Sequence, residues 1–240
     1  MTRQRGVALL LVLWVLALLS TLLAGLLGWV HLQNRQALWQ RQHTQAVLAA
    51  EAGLAMAVTA QLDRDPHRHW LADGQPHALR FDDATLAVSL VSEAGKLDVN
   101  AAPVESFMRL VLACGGSNAQ AQAVSGALNQ RRGADRQPLR TVEEVRELPA
   151  MDQRVYQCAS AHLTLWSGLP APDAALASGW LRRVLNLPQA SSAAQDAGPV
   201  VTVQSQATLP GGFNATLIVT LLLNPSKEGA RPYRVLRWQE

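Results

Sequence analysis

The chain carries no GxSxG elbow, no HExxH pair and no glycine-rich phosphate loop. The compact patterns for a serine nucleophile, a zinc hydrolase or a nucleotide site are therefore missing, which disfavours an enzyme. Cysteine is scarce. Cys114 and Cys158 are the only two, and they lack the CxxC spacing of metal and redox sites. Charge is nearly balanced, with 21 Lys and Arg against 18 Asp and Glu. Removing Arg3 and Arg5 with a short N-terminal stub leaves 19 against 18, so the basic excess is weak evidence for an anionic partner. No internal repeat is evident. No charge falls between Val7 and Val30, and neither glycine nor proline between Leu32 and Ala52.

The uncharged run is the most informative segment present. As a helix, Val7 to Val30 would be about 36 Å long, enough to cross a hydrocarbon core of ~30 Å with some tilt. Part of the 49% hydrophobic content therefore belongs to this run and not to a soluble core. Arg3 and Arg5 precede it, and the next cation is Arg35. The positive-inside tendency keeps the stub cytoplasmic and exports the chain beyond Val30. An ordinary secretory signal is cut at small residues after its apolar stretch. Here the processing point lies before the stretch, at Gly6–Val7. A short basic leader, residues 1–6, ending in glycine and followed at once by the membrane helix 7–30, resembles the type IV prepilin signal. The resemblance implies that a prepilin peptidase cuts after Gly6 and leaves the helix on the mature chain.

Beyond the span the helical pattern continues through residues 31–75, which include a closing loop. Leu38, Val47, Ala50, Leu54, Ala57, Val58 and Leu62 recur at three- and four-residue steps, until Asp63, Asp65 and Pro66 stop the helix. Residues 76–94 read as a strand pair, with Asp82-Asp83 as its turn. Residues 95–190 read as helices over Val104–Ala113, Ala119–Arg131, Thr141–Leu148, Gln153–Leu163 and Pro172–Leu187. Thr141 and Glu144 fit a capping box at the start of the third. A polar linker at 191–198 leads to residues 199–240, which alternate as strands around the Pro210-Gly211-Gly212 turn and end in a short strand, Tyr233–Trp238. The fold class expected is α+β. A long N-terminal transmembrane helix packs on an antiparallel sheet in pilin fashion, and an all-helical domain is inserted between strand pairs.

Three segments carry a closer resemblance. They are Ser92-Glu93-Ala94-Gly95-Lys96-Leu97-Asp98-Val99-Asn100-Ala101-Ala102, Leu139-Arg140-Thr141-Val142-Glu143-Glu144-Val145-Arg146-Glu147-Leu148-Pro149 with Leu163 to Gly168, and Pro232 to Trp238. Together they resemble the general secretion pathway protein K family, the large minor pseudopilins of type II secretion, over nearly the whole chain. The insert is shorter here than is usual in that family. The resemblance implies a single-pass inner-membrane subunit with a periplasmic head. It would sit at the pseudopilus tip, where it starts and caps assembly. Implied partners are minor pseudopilins of the I and J types, met through the apolar stripe of the long helix, the major pseudopilin, and the prepilin peptidase. Most pilins carry glutamate five residues into the mature chain, where it neutralises a neighbour's terminal amine. Here that position is Leu11, which suits a subunit with none above it, or is simply one more apolar residue of the span. Family members hold calcium in the insert. Asp98 and Asn100 could offer oxygens to such a cation, but no ligand loop matches residue by residue, so no cofactor is assigned.

Other readings stay open at this point. In an oxidising compartment Cys114 and Cys158 are a disulfide candidate, the alternative being two buried thiols. A minor pilin of a type IV pilus would share the leader and the helix but not the insert. Helices bracketing Glu147 to Asp152 suggest a helix-hairpin-helix grip on DNA. That module needs hairpin glycines for phosphate approach, and Asp152 would repel phosphate, so no nucleic acid is expected. His67 and His69, near Asp63 and Asp65, fit a solvated turn better than a metal site.

Overall fold

The computed structural model describes residues 5–133, 138–188, 196–223 and 232–240. Helix α1 runs unbroken from Arg5 to Leu62, as its Leu, Ala and Gln content favours. Residues 1–4 of the expected leader lie outside the described residues, and Arg5 and Gly6 already belong to the helix. Asp63 ends α1 by turning the chain, its Oδ1 accepting from the Asp65 amide at 2.9 Å.

Strands β1 (His77–Phe81) and β2 (Ala84–Ser92) form the first hairpin. Strands β5 (Val200–Thr208), β6 (Asn214–Leu223) and β7 (Tyr233–Gln239) follow the insert. All five make one antiparallel sheet in the order β1-β2-β5-β6-β7. One face of the sheet, built from Leu86, Val88, Leu90, Val201, Val203, Leu217, Val219 and Leu221, packs on α1. The helix meets it with Ala46, Ala49, Ala50, Gly53, Leu54, Ala57 and Val58. Five of these seven are alanine or glycine, so helix and sheet approach closely. Leu38 of the expected stripe lies below the sheet and is 60% exposed.

The insert leaves after Ser92 and returns at Val200. Its elements are β3 (Leu97–Asp98), α2 (Val104–Ala113), α3 (Asn118–Gly133), α4 (Gln153–Ser160), β4 (Leu163–Thr164) and α5 (Gly179–Leu185). Its core, with Leu97, Phe107, Leu110, Val124, Leu128, Val145, Val155, Leu163 and Leu181, is separate from that of the head.

Several expectations change. The third helix is a 3-10 segment, Val142–Glu147, although Glu144 does cap it by accepting from the Thr141 and Arg140 amides at 3.1 and 3.0 Å. The fourth stops at Ser160, because Leu163 and Thr164 pair in parallel with Leu97 and Asp98. The fifth begins only at Gly179. Before it, the Asp173 carbonyl and carboxylate hold the chain in turns, and the Ser178 hydroxyl caps the helix. Of the expected linker, 191–195 lie outside the described residues, while Ala197 is buried in the head core.

The two ends of the sheet are distinct. Nearest the apolar N-terminal half of α1 lie the β1–β2 turn, beside Gln45 and Leu48, and the β5–β6 turn, where Phe213 meets Trp39. The insert emerges from the opposite end, at Ser92 and Val200.

Candidate functional site

The lower half of α1 is the first functional element. From Leu9 to Val30 every described side chain is exposed, in a helix long and apolar enough to cross a membrane. Gly6 and Val7 lie in its first turns, and their side chains are outside the described residues. Leu11 is 62% exposed and touches nothing in the head. The stripe expected to meet partner helices behaves differently. Ala50, Leu54, Ala57 and Val58 are buried against this chain's own sheet and cannot serve a partner. Leu48, Ala52, Ala55 and Met56 are what α1 leaves available beside Phe81.

The insert is organised around two carboxylates. Asp98 is 1% exposed. Its Oδ1 accepts from the Asn100 and Ala101 amides at 2.8 and 3.1 Å, and its Oδ2 from the Gly168 amide at 2.8 Å and Ser167 Oγ at 3.3 Å. Asn100 spends both side-chain atoms on the backbone of Leu139. As placed, the oxygens of both residues are engaged within the chain. Among the described residues no three His, Cys, Asp or Glu side chains converge as a metal site, and His69 turns its ring to the Asp63 carbonyl. Arg132 donates to the carbonyls of Ala102, at 2.6 Å, and Val99. Burial pulls its guanidinium below the ordinary value, against the field of Asp98.

Glu93 is the second carboxylate, and sequence reasoning missed it. It is 1% exposed, and its Oε1 accepts from Lys96 Nζ and Thr202 Oγ1, each at 2.6 Å. Thr202 in turn pairs with the Thr220 hydroxyl at 2.8 Å. This network joins the insert to the outer face of the sheet at one end of a cleft of about 520 Å³. Glu143 bonded to Arg237 joins them at the other. Tyr156 lines the same cleft, its hydroxyl pushed up by burial and then by Glu143. The polar outer positions of β5 and β6 gave only an amphipathic signal, which does not reveal what covers them.

Cys114, which closes α2, is bonded to Cys158 of α4, with Cα atoms 5.6 Å apart. The suspected DNA grip, Leu148–Asp152, lies between the 3-10 segment Val142–Glu147 and α4, so only one of its two flanking elements is an α-helix. Ala150 stands at φ +67°, where a grip would use glycine. The groups that would face phosphate are engaged within the chain. Asp152 Oδ1 caps α4 through the Val155 amide at 2.7 Å, and Gln120 Nε2 reaches both Ala150 O and Asp152 Oδ2 at 2.9 Å. The Val155 amide, and after it Gln120, hold the Asp152 carboxyl below the usual range, so a charge that repels phosphate is fixed in place.

A helix apolar at one end and buried at the other, laid on an antiparallel sheet with a helical body spliced between neighbouring strands, defines a pilin-like α+β fold. More narrowly, the fold is pseudopilin-like. It is similar to a chain in the crystal structure of the GspK-GspI-GspJ complex from the enterotoxigenic Escherichia coli type 2 secretion system. The TM-score is 0.54, over 86% of this chain and 98% of that one, at 13% identity. No family model matches the chain, and no curated protein matches it.

Proposed function

We propose that this chain is a minor pseudopilin at the tip of a type II secretion pseudopilus. In this reading a prepilin peptidase cuts after Gly6, and Val7 to Val30 holds the chain in the inner membrane with the head in the periplasm. The protein joins I- and J-type minor pseudopilins to start the pseudopilus, and the major pseudopilin extends it from below. It works mechanically, without catalysis or a cofactor. One observation carries the reading: a helical body with its own core emerges from the sheet end farthest from the membrane helix. A filament of pilin-like subunits grows by stacking heads along their long helices. A broad body on the outer end of one head obstructs the next head above it, which is what a cap must do. With the Ala50 to Val58 stripe already buried, partner helices are left the outward face with Leu48, Ala52 and Met56.

Co-expression of the full chain with candidate partners tests the reading. A detergent-stable complex with I- and J-type minor pseudopilins is expected. Recovery only with minor pilins of a type IV pilus would overturn it in favour of that assembly.

A further inference from the structure

Between the span and the head, α1 presents a row of side chains. His31, Arg35, Trp39 and His43 follow one another at four-residue steps, so each neighbours the next along one inclined ridge of the helix. Trp39 stacks on His43 with ring centroids 5.0 Å apart, and Phe213 of the β5–β6 turn meets both edge-on at 6.2 and 6.3 Å. The row thus leads from the end of the apolar run to the underside of the head. Trp39 is nevertheless 55% exposed, although a large aromatic ordinarily gains from burial. No acidic residue precedes Glu51 in the chain, so the only formal charges on α1 up to that point are positive.

We propose that this row, with Phe213, is a second membrane contact that rests on an anionic phospholipid surface. The inference relies on Val7 to Val30 crossing the bilayer, and it is independent of any role in secretion. A helix of about 36 Å exceeds a core of ~30 Å, and tilting absorbs the difference. Interfacial aromatic and cationic anchors set the direction of tilt. Arg35 lies about 7 Å beyond Val30 along the axis and Trp39 about 13 Å, while the headgroup layer is ~5–8 Å deep. Helical side chains point back toward the N-terminus, here toward the membrane. Leaning on this face lays Arg35 among the phosphates and lowers Trp39 and the overhanging Phe213 to the headgroup level. Leaning toward the β1–β2 turn would instead bring Asp82 and Asp83, beside Gln45, to the same surface and is disfavoured.

The test places the photo-crosslinker p-benzoylphenylalanine at Phe213, and at Leu26 as an in-membrane control, in the full chain reconstituted into nanodiscs. The nanodiscs contain phosphatidylcholine alone or with a minority of phosphatidylglycerol. Intact mass should show lipid adducts at position 213 in the anionic discs. They should fall several-fold in neutral discs and in Arg35→Gln. Adducts at position 26 with none at 213, or adducts at 213 to protein only, would overturn the contact while leaving the span in place. Absence of adducts at both positions would overturn the span and the contact together.

Discussion

Gly53 of α1 and Ser205 of β5 are pressed together so closely that a Cβ on Gly53 would collide with Ser205 Oγ and stand 3.0 Å from Val88 Cγ2. Neither chain can retreat locally, since both contacts come from adjacent strands of the sheet. The position of the long helix on the head is set at this point.

Gly53→Ala is therefore expected to destabilise the head by roughly 1–3 kcal/mol, although alanine is the better helix former. Ser205 Oγ is buried without a hydrogen-bond partner among the described residues, so removing it relieves the clash without losing a bond. Thermal unfolding of Gly53→Ala, Ser205→Ala and the double variant checks this. The double variant should recover most of the loss, and simple additivity of the two changes would contradict the close approach.

Reduction of the bridge should weaken the insert. Cys114 and Cys158 are 44 residues apart, and closing such a loop is worth up to roughly 4 kcal/mol. Thiol alkylation of the native protein without reductant should label neither. Full labelling of both in folded protein would show that the bridge is absent.

His162 stacks on Trp180 with ring centroids 4.4 Å apart, and burial, then Lys96, lowers its pKa from the ordinary 6.5. The unfolded chain thus binds a proton in a range where the folded one does not. Stability should fall as pH drops through 6.5 and level off once the folded pKa is passed. Chemical denaturation across this range is expected to lose that slope in His162→Gln. An unchanged slope would mean that another group titrates.

Much of this architecture was legible, and the reasons differ by element. Val104–Ala113 stood out because a strong helical period is bounded by Pro103 and by Gly115-Gly116. Leu97–Asp98 and Leu163–Thr164 did not, since two-residue strands have no period to detect. Pro172 to Leu187 looked helical by composition, yet the Asp173 carboxylate and carbonyl win the first half for turns. Glu93 and Asp98 were opaque as hubs because their partners Thr202 and Gly168 lie far along the chain. The stripe of α1 was legible as buried on the sheet, but that the sheet takes Ala50 to Val58 whole and leaves none of it to partner helices was not.

Processing offers a direct check on the N-terminal reading. In Gly6→Val the leader should stay attached, because a branched side chain blocks a cut that requires glycine. Mass spectrometry finding mature protein that begins at Val7 in this variant would count decisively against a prepilin-type signal.

Leu11→Glu separates a tip subunit from a shaft subunit. At the tip no amine lies above to pair with the new carboxylate, which then costs a few kcal/mol in the bilayer, on the order of 2.5–3.5 by insertion scales. Secretion should be unchanged or modestly lower. Improved assembly, with the variant distributed along the filament, would place the chain in the shaft.

Ser92 and Val201 face each other across β2 and β5, and Ser92 Oγ donates to the Ala197 carbonyl at 2.5 Å. In topological terms the whole helical body is therefore the turn of a hairpin. Pairing β2 with β5 across an unstructured loop of on the order of a hundred residues would cost about 3 kcal/mol more than across a tight turn. Once the body folds on its own core, its two ends stand side by side and that cost disappears. The same stem is where a two-residue turn could replace the body and still leave five strands in register.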